Sequence, residues 1–218
     1  GLLSVVIPAY NEAESLPQLL AGIDAVAARL GRPYEAWVID DGSRDGTHEA
    51  VAAVARQRPQ VHVVSFTRNF GKAAALAAGF ARVRGEIVIT MDADLQDDPE
   101  EIPRLVAALE EGRDLISGWK QRRQDGFVKN QSSKVFNLVT SAMIGLRLHD
   151  YNCGLKAYRR EVIDSLRIYG EMHRFIPALA HLEGFRVGEL KVKHHRRRHG
   201  RTKYGLDRFL NGFVDLIT

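Results

Sequence analysis

The chain has 218 residues, 45% of them hydrophobic and 27% charged, a globular balance with enough length for one substantial core and a single domain as the default. Its longest apolar stretches, around Val135 to Leu148 and Ala73 to Ala81, are broken by polar residues and fall short of the roughly 18 needed to span a bilayer, so no transmembrane helix is expected. The formal net charge of +4 comes from one segment, Lys191 to Lys203, with seven Lys or Arg and no acid; the rest is net negative, which argues against a general nucleic-acid surface and marks one place where an anion should dock.

The chain begins at Gly1 without a Met or a basic, apolar leader, as an excised or processed piece would. Cys153 is the sole cysteine, so no disulfide forms within the chain, and a reducing compartment fits.

Leu3 to Ile7 is an apolar run ending at Pro8, and Glu14 to Leu30 carries Leu16, Leu19, Leu20, Ile23 and Val26 on one helical side, which predicts strand, loop, helix. The unit recurs as strand Tyr34 to Ile39 with helix Thr47 to Arg56, strand Val61 to Phe66 with helix Lys72 to Val83, and strand Glu86 to Met91 with helix Pro99 to Glu110. A further strand, Asp114 to Gly118, closes the regular part near Trp119. Apolar strands alternating with helices predict an α/β fold, a mainly parallel sheet with helices on both faces. Residues 120 to 135 are polar and read as a lid or acceptor loop leading into a helix from Ser132 to Leu146. A turn at Asp150 to Gly154 follows, then helices near Glu161 to Leu166 and Arg174 to Leu182, a strand near Arg186 to Val192, the basic segment and a final helix.

Ligands of an open parallel sheet bind beyond the carboxyl ends of its strands. Those positions hold Pro8 to Glu12, Asp40 to Ser43 and Asp92 to Gln96, so Glu12, Asp40, Asp41, Asp92 and Asp94 are expected on one rim, where their repulsion calls for a cation or ligand donors. Oxygen ligands at Asp92 and Asp94 suit Mg²⁺ or Mn²⁺ bridging a diphosphate. An isolated Asp-x-Asp reads equally as a solvated turn, with Asp97 or Asp98 capping the helix at Pro99; the strand-end position and the second acidic pair favour the metal. Neither Gly-x-Gly-x-x-Gly nor a Walker-type loop is present, so phosphates must be held by metal and basic side chains.

The motifs VVIPAYNE (5 to 12), VIDDGSRDGT (38 to 47), RNFGKAAALAAGF (68 to 80), MDADLQDDPEEIP (91 to 103), DYNCGLKAYRR (150 to 160) and HGRTKYG (199 to 205) together resemble the inverting family 2 glycosyltransferases of GT-A fold. More narrowly, the chain is similar to the polyprenyl-phosphate sugar synthases, the group of dolichyl-phosphate mannose synthase and the bacterial undecaprenyl-phosphate glycosyltransferases. The resemblance implies a GT-A nucleotide-diphospho-sugar transferase that moves a hexose from GDP-mannose or UDP-glucose to a polyprenyl phosphate, with Mg²⁺ or Mn²⁺ as cofactor. It implies that Pro8, Tyr10, Glu12, Ile39 and Asp41 hold base and ribose, that Asp92 and Ala93 line the donor site, and that Asp94, the catalytic carboxylate, and Gln96 bind the metal. Arg197 and Lys203 would clamp the donor diphosphate, and Lys120, Lys129 and Ser133 would bind the acceptor phosphate. The parts implied are a nucleotide-sugar half over 1–119, an acceptor part and clamp loop over 120–205, and an amphipathic helix over 206–218.

A lipid phosphate is already ionised near neutral pH, with a second pKa of about 6, so its attack on the anomeric carbon needs positioning and charge neutralisation rather than a strong base. A hydroxyl acceptor would need a base, and Asp150 is the candidate, with a turn-forming role beside Asn152 and Gly154 as the alternative. The Gln-x-x-Arg-Trp pattern of processive synthases is absent. His194, His195 and His199 lack a nearby Cys and sit among Arg, which disfavours zinc, and the basic run lacks the interleaved aromatics of a nucleic-acid surface. Leu206, Phe209, Leu210, Phe213, Val214 and Ile217 define a helical face that packs on the core or lies on a membrane, and peripheral attachment to the cytoplasmic face is expected. A hydroxyl-acceptor transferase, a nucleotidyltransferase releasing pyrophosphate and a nucleotide- or membrane-binding module without turnover are the other readings.

Overall fold

The computed structural model describes residues 1–120 and 144–196. Its strands are β1 (Leu3–Ala9), β2 (Tyr34–Asp40), β3 (Val61–Ser65), β4 (Ile87–Thr90), β5 (Leu115–Trp119), β6 (Lys156–Arg159) and β7 (Val187–Lys191). Its helices are α1 (Leu16–Leu30), α2 (Thr47–Gln57), α3 (Lys72–Phe80), α4 (Ile102–Glu110), α5 (Arg160–Ser165) and α6 (Ile176–Leu182), with 3₁₀ turns at Pro99–Glu101 and Met172–Arg174. The predicted lid loop, most of the predicted helix Ser132 to Leu146, the clamp loop from Arg197 and the final helix lie outside the described residues.

The seven strands form one sheet in the order β3-β2-β1-β4-β6-β5-β7. β1 to β4 are parallel neighbours, and β7 runs parallel to β5. Alternate residues of β1 enter two cores: Val5 and Ile7 pack with α1 and α4 through Leu19, Leu20, Ile23 and Leu105, and Val6 packs with Leu76 of α3 and Ile176 of α6. Burial on both faces is why this strand reads as a continuous apolar run.

One element was not anticipated. β6 pairs antiparallel with both β4 and β5, inserting a reversed strand where a parallel continuation was expected. Its four residues, Lys-Ala-Tyr-Arg, are too short and polar to announce a central strand, and only the neighbours on both sides make them one. The first helix begins at Leu16 rather than Glu14, and a 3₁₀ turn opens the α4 segment. Among the described residues no helix is long and apolar enough to cross a membrane.

Candidate active site

β1 is paired with β2 along its whole length but with β4 only from Leu3 to Val6, the last bond being Met91 N–H to the Val6 carbonyl at 3.1 Å. Even-numbered residues of β1 face β4, so Pro8 stands where the two strands part and its missing N–H leaves no ladder bond unmade. This parting is the switch point of the sheet, with β2 and β3 on one side and the remaining strands on the other, the place beyond the strand ends where an open α/β sheet forms its ligand crevice.

The loops at that crevice are tied to one another by their own polar groups. Asp41 accepts the N–H groups of Phe70 (2.7 Å) and Gly71 (2.9 Å), fixing the loop that opens α3. Asp40 accepts from Ser43 N–H (2.9 Å) and Ser65 Oγ (3.1 Å). Glu12 gives its N–H to Thr47 Oγ1 (2.9 Å) and takes the Ser15 hydroxyl (2.9 Å). Asn11, at φ 54°, gives its N–H to Ser43 Oγ and accepts the Arg44 N–H. At Asp40, Asp41 and Glu12, therefore, backbone N–H groups and hydroxyls offset the carboxylate charge. Tyr10 is half-buried at the exit of β1. Ile39 has 0% exposure and packs in the core at the end of β2, beneath these loops.

The loop after β4 is shaped by one strained residue. Leu95 is left-handed, φ 62°, which costs a branched residue about 1–2 kcal/mol, and it nevertheless sits 9% exposed in the core. Burying this side chain turns the backbone between Asp94 and Gln96. Asp94 is buried and accepts the Gln96 N–H at 3.1 Å, the Gln96 amide nitrogen donates to the His195 carbonyl at 3.4 Å, and Ala93 packs in the core. Asp98, not Asp97, caps the following turn through Glu100 N–H at 3.0 Å.

Asp92 is the centre of an ionic cluster formed with Lys72, Lys120, Lys156 and Asp97, of which the sequence motifs single out only Lys120, for the acceptor, and Asp97, as a helix cap. Lys72, the first residue of α3, is hydrogen-bonded to Asp92 Oδ1. Lys120, just beyond β5, is paired with Asp97 at 2.8 Å with only 10% of its side chain exposed, and Asp97 also accepts the Asp92 N–H at 3.1 Å. Lys156 of β6 is buried and bonded to the Cys153 carbonyl. Burial alone would raise the Asp92 carboxyl, but the fields of Lys72 and Lys120 outweigh it and hold the group well below the usual carboxylate range. Burial would lower Lys120, but its surroundings, with Asp97 foremost and Asp92 among them, together outweigh that, so its ammonium is held charged. Lys156, with less compensation, is pushed down to about 8 by burial, and burial pushes the Cys153 thiol up to about 12, the inert small residue expected of it. His173, in the 3₁₀ turn that packs on α3, is pushed well below its ordinary value by burial and then by Lys72, and its Nδ1 has no partner among the described residues. Lys72 and Lys156 lie inside quoted motifs, but nothing in their spacing signals a shared carboxylate.

Asp150 accepts the Asn152 N–H at 3.0 Å and donates its own N–H to Glu189 at 2.8 Å, the arrangement of a turn. Lys129, Ser133, Arg197 and Lys203 lie outside the described residues. For a metal, the Asp94 carboxylate and the Gln96 amide oxygen are hard donors of the kind Mg²⁺ and Mn²⁺ take, and among the described residues no group of three or more His, Cys, Asp or Glu is arranged to hold an ion. By donor chemistry, Asp94 and Gln96 would be the residues to hold such a cation, which would supply neutralisation of phosphate charge.

The sequence pattern of Glycosyl transferase family 2 matches residues 4–167. The chain is 44% identical, over all of its own length, to undecaprenyl-phosphate 4-deoxy-4-formamido-L-arabinose transferases of Aeromonas hydrophila and Pseudomonas aeruginosa, and it spans 67% and 64% of those two proteins. Its fold is similar to a crystal structure of glucosyl-3-phosphoglycerate synthase from Mycobacterium tuberculosis in complex with Mn²⁺ and uridine-diphosphate-glucose, with TM-score 0.74 and 25% identity over 99% of this chain and 78% of that one. Mannosyl-3-phosphoglycerate synthase from Rubrobacter xylanophilus shares the fold at TM-score 0.76 and 21% identity, over 99% of this chain and 72% of that one. With three quarters of its length inside the family pattern and its whole length aligned with relatives at 44% identity, the chain belongs to glycosyl transferase family 2.

Proposed function

We propose that this chain transfers a sugar from a nucleoside diphosphate sugar to a polyprenyl phosphate, with inversion, at the cytoplasmic surface of a membrane. The observation that carries the reading is the gathering of Lys72 and Lys120 about Asp92, beyond the ends of β4 and β5. Two phosphate-bearing reactants repel each other, and fixed cations close to the transfer point lower that cost without reorganising. The relatives from Aeromonas and Pseudomonas, named for undecaprenyl phosphate, support this acceptor class. Their sugar is a pentose derivative, so a nucleoside diphosphate ester of 4-deoxy-4-formamido-L-arabinose is the first donor to test, with GDP-mannose and UDP-glucose beside it.

In this reading Pro8, Tyr10, Glu12 and Asp41 frame the nucleoside, and Asp92 and Ala93 line the sugar-bearing part of the crevice. Asp94 and Gln96 would hold Mg²⁺ or Mn²⁺, which when bound neutralises charge on the departing diphosphate. Arg197 and Lys203 are proposed for the diphosphate, and Lys120, Lys129 and Ser133 for the acceptor. No general base is required of the protein, because the attacking phosphate oxygen is already ionised.

The test is a turnover assay of the chain with the three donors in parallel, Mn²⁺ and undecaprenyl phosphate, scoring sugar that enters the organic phase. Acid-labile transfer from one donor, lost with EDTA and in Asp94→Ala, is the expected result. Metal-dependent nucleotide binding without transfer to the lipid would defeat the acceptor assignment.

A further inference from the structure

Asp97 has no part in the donor or acceptor sets above, yet its carboxylate is fully buried, with the residue 1% exposed. One oxygen accepts the Asp92 N–H at 3.1 Å, and the other lies 2.8 Å from Lys120 Nζ. A carboxylate so far from water is stable only with such partners. The exits of β4 and β5 that it joins are not neighbours, because β6 lies between them, so the Asp97–Lys120 pair spans the end of the intervening strand. The backbone of Asp97 also forms an isolated bridge with His194, and the adjacent Gln96 carbonyl accepts the His195 N–H at 2.9 Å. Three segments therefore meet at this one residue: the loop carrying Asp92 and Asp94, the first residue after β5, and the stretch after β7.

We propose that Asp97 is a positioning residue that fixes the Lys120 ammonium beside Asp92 so that it can meet the acceptor phosphate. The proposal rests on the polyprenyl-phosphate reading. Lys120 carries three N–H donors, of which the 2.8 Å contact with Asp97 takes up one, and the others are the donors an attacking phosphate would meet. A lysine on four flexible carbons would otherwise spread over many rotamers. Asp97 confines it to one and, through the Asp92 N–H, keeps it in register with the donor loop.

The experiment compares wild type, Asp97→Asn, Lys120→Met and the double variant. An Asn oxygen can still accept the Asp92 N–H, while the amide replaces the charge that faces Lys120. Asp97→Asn should raise KM for undecaprenyl phosphate about tenfold or more, with the affinity for nucleoside diphosphate and Mn²⁺ within about twofold of wild type. Lys120→Met should give a similar rise, and adding Asp97→Asn to it should change the acceptor KM no further. The double variant leaves no uncompensated buried cation, so it reports even where Asp97→Asn alone folds poorly. An unchanged acceptor KM in Asp97→Asn, an equal loss of nucleotide binding, or effects that add in full would overturn the role of Asp97. A wild-type chain that transfers nothing to the lipid would overturn the acceptor reading itself, and that result is seen before any variant is made.

Discussion

The main chain of Gly154 lies against the carboxylate of Asp92, so closely that a Cβ at Gly154 would stand 2.3 Å from Asp92 Oδ2 and 2.6 Å from Oδ1. The contact is held from the other side by the Thr90 hydroxyl, which donates to the Gly154 carbonyl at 2.8 Å. Asp92 is thus confined between the turn before β6 and the Lys72 ammonium.

Gly154→Ala should therefore displace the Asp92 carboxylate or the turn. Overpacking of this kind costs about 1–3 kcal/mol, and the expected result is a modest loss in melting temperature with a much larger loss in turnover. Thermal unfolding beside steady-state rates checks it; wild-type turnover in the variant would show that Asp92 needs no such confinement.

Lys72→Met should destabilise the chain by about 2 kcal/mol near neutral pH, as loss of a hydrogen bond to a charged, half-buried group does. The sign with pH follows from Asp92, whose folded-state value is depressed. Its contribution is present above the unfolded value of about 3.9 and is lost as pH falls through the folded one. The gap between wild type and variant should be flat above about pH 5 and close in acid, as urea titrations across pH would show.

At Leu95 the usual ranking of substitutions should invert. Ala normally beats Gly within ordered backbone by about 0.5–1 kcal/mol. At φ 62° Ala keeps the strain and Gly relieves it, while both lose the buried isobutyl group. Leu95→Gly should be at least as stable as Leu95→Ala by chemical denaturation, and a clearly more stable Ala variant would mean that the left-handed backbone is not under strain.

Lys156 and Cys153 should pull stability in opposite directions in alkali. Lys156 is held down to about 8 against about 10.4 when unfolded, so between those values the unfolded chain binds the extra proton and stability rises with pH. Cys153, held up to about 12 against about 8.5 unfolded, gives stability that is complete below about pH 8.5 and drains away above it. Lys156→Met should steepen the alkaline decline and Cys153→Ala should flatten it. Unchanged profiles in both variants would refute these burial effects.

The parallel half of the sheet was legible because its strands are long, apolar and separated by helices whose buried faces repeat every three or four residues, as with Leu16, Leu19, Leu20 and Ile23. β6 was not, since a central strand of Lys-Ala-Tyr-Arg takes its character from its neighbours and not from its own composition. Among the site residues, the strand-end positions of Asp92 and Asp94 follow from chain order alone, as does the turn at Asp150. The partners of Asp92 do not: Lys72 and Lys120 lie 20 and 28 positions from it by their numbers, at the start of α3 and just beyond β5, and Asp97, 5 positions on in the same loop, reads equally as a helix cap.

Sequence by itself determined the layers, the strand ends at which polar residues would gather, and the family, because periodicity and local motifs act over a few residues at a time. Tertiary structure alone decided how the charges are spent. It turned Asp40 onto the Ser65 hydroxyl and Asp41 onto the N–H groups of Phe70 and Gly71, set Lys72 and Lys120 about Asp92, and placed Asp97 between two strand exits. The reason is physical: a buried charge must be compensated within a few ångströms, and which groups come that close is fixed by sheet order and strand direction, not by position along the chain.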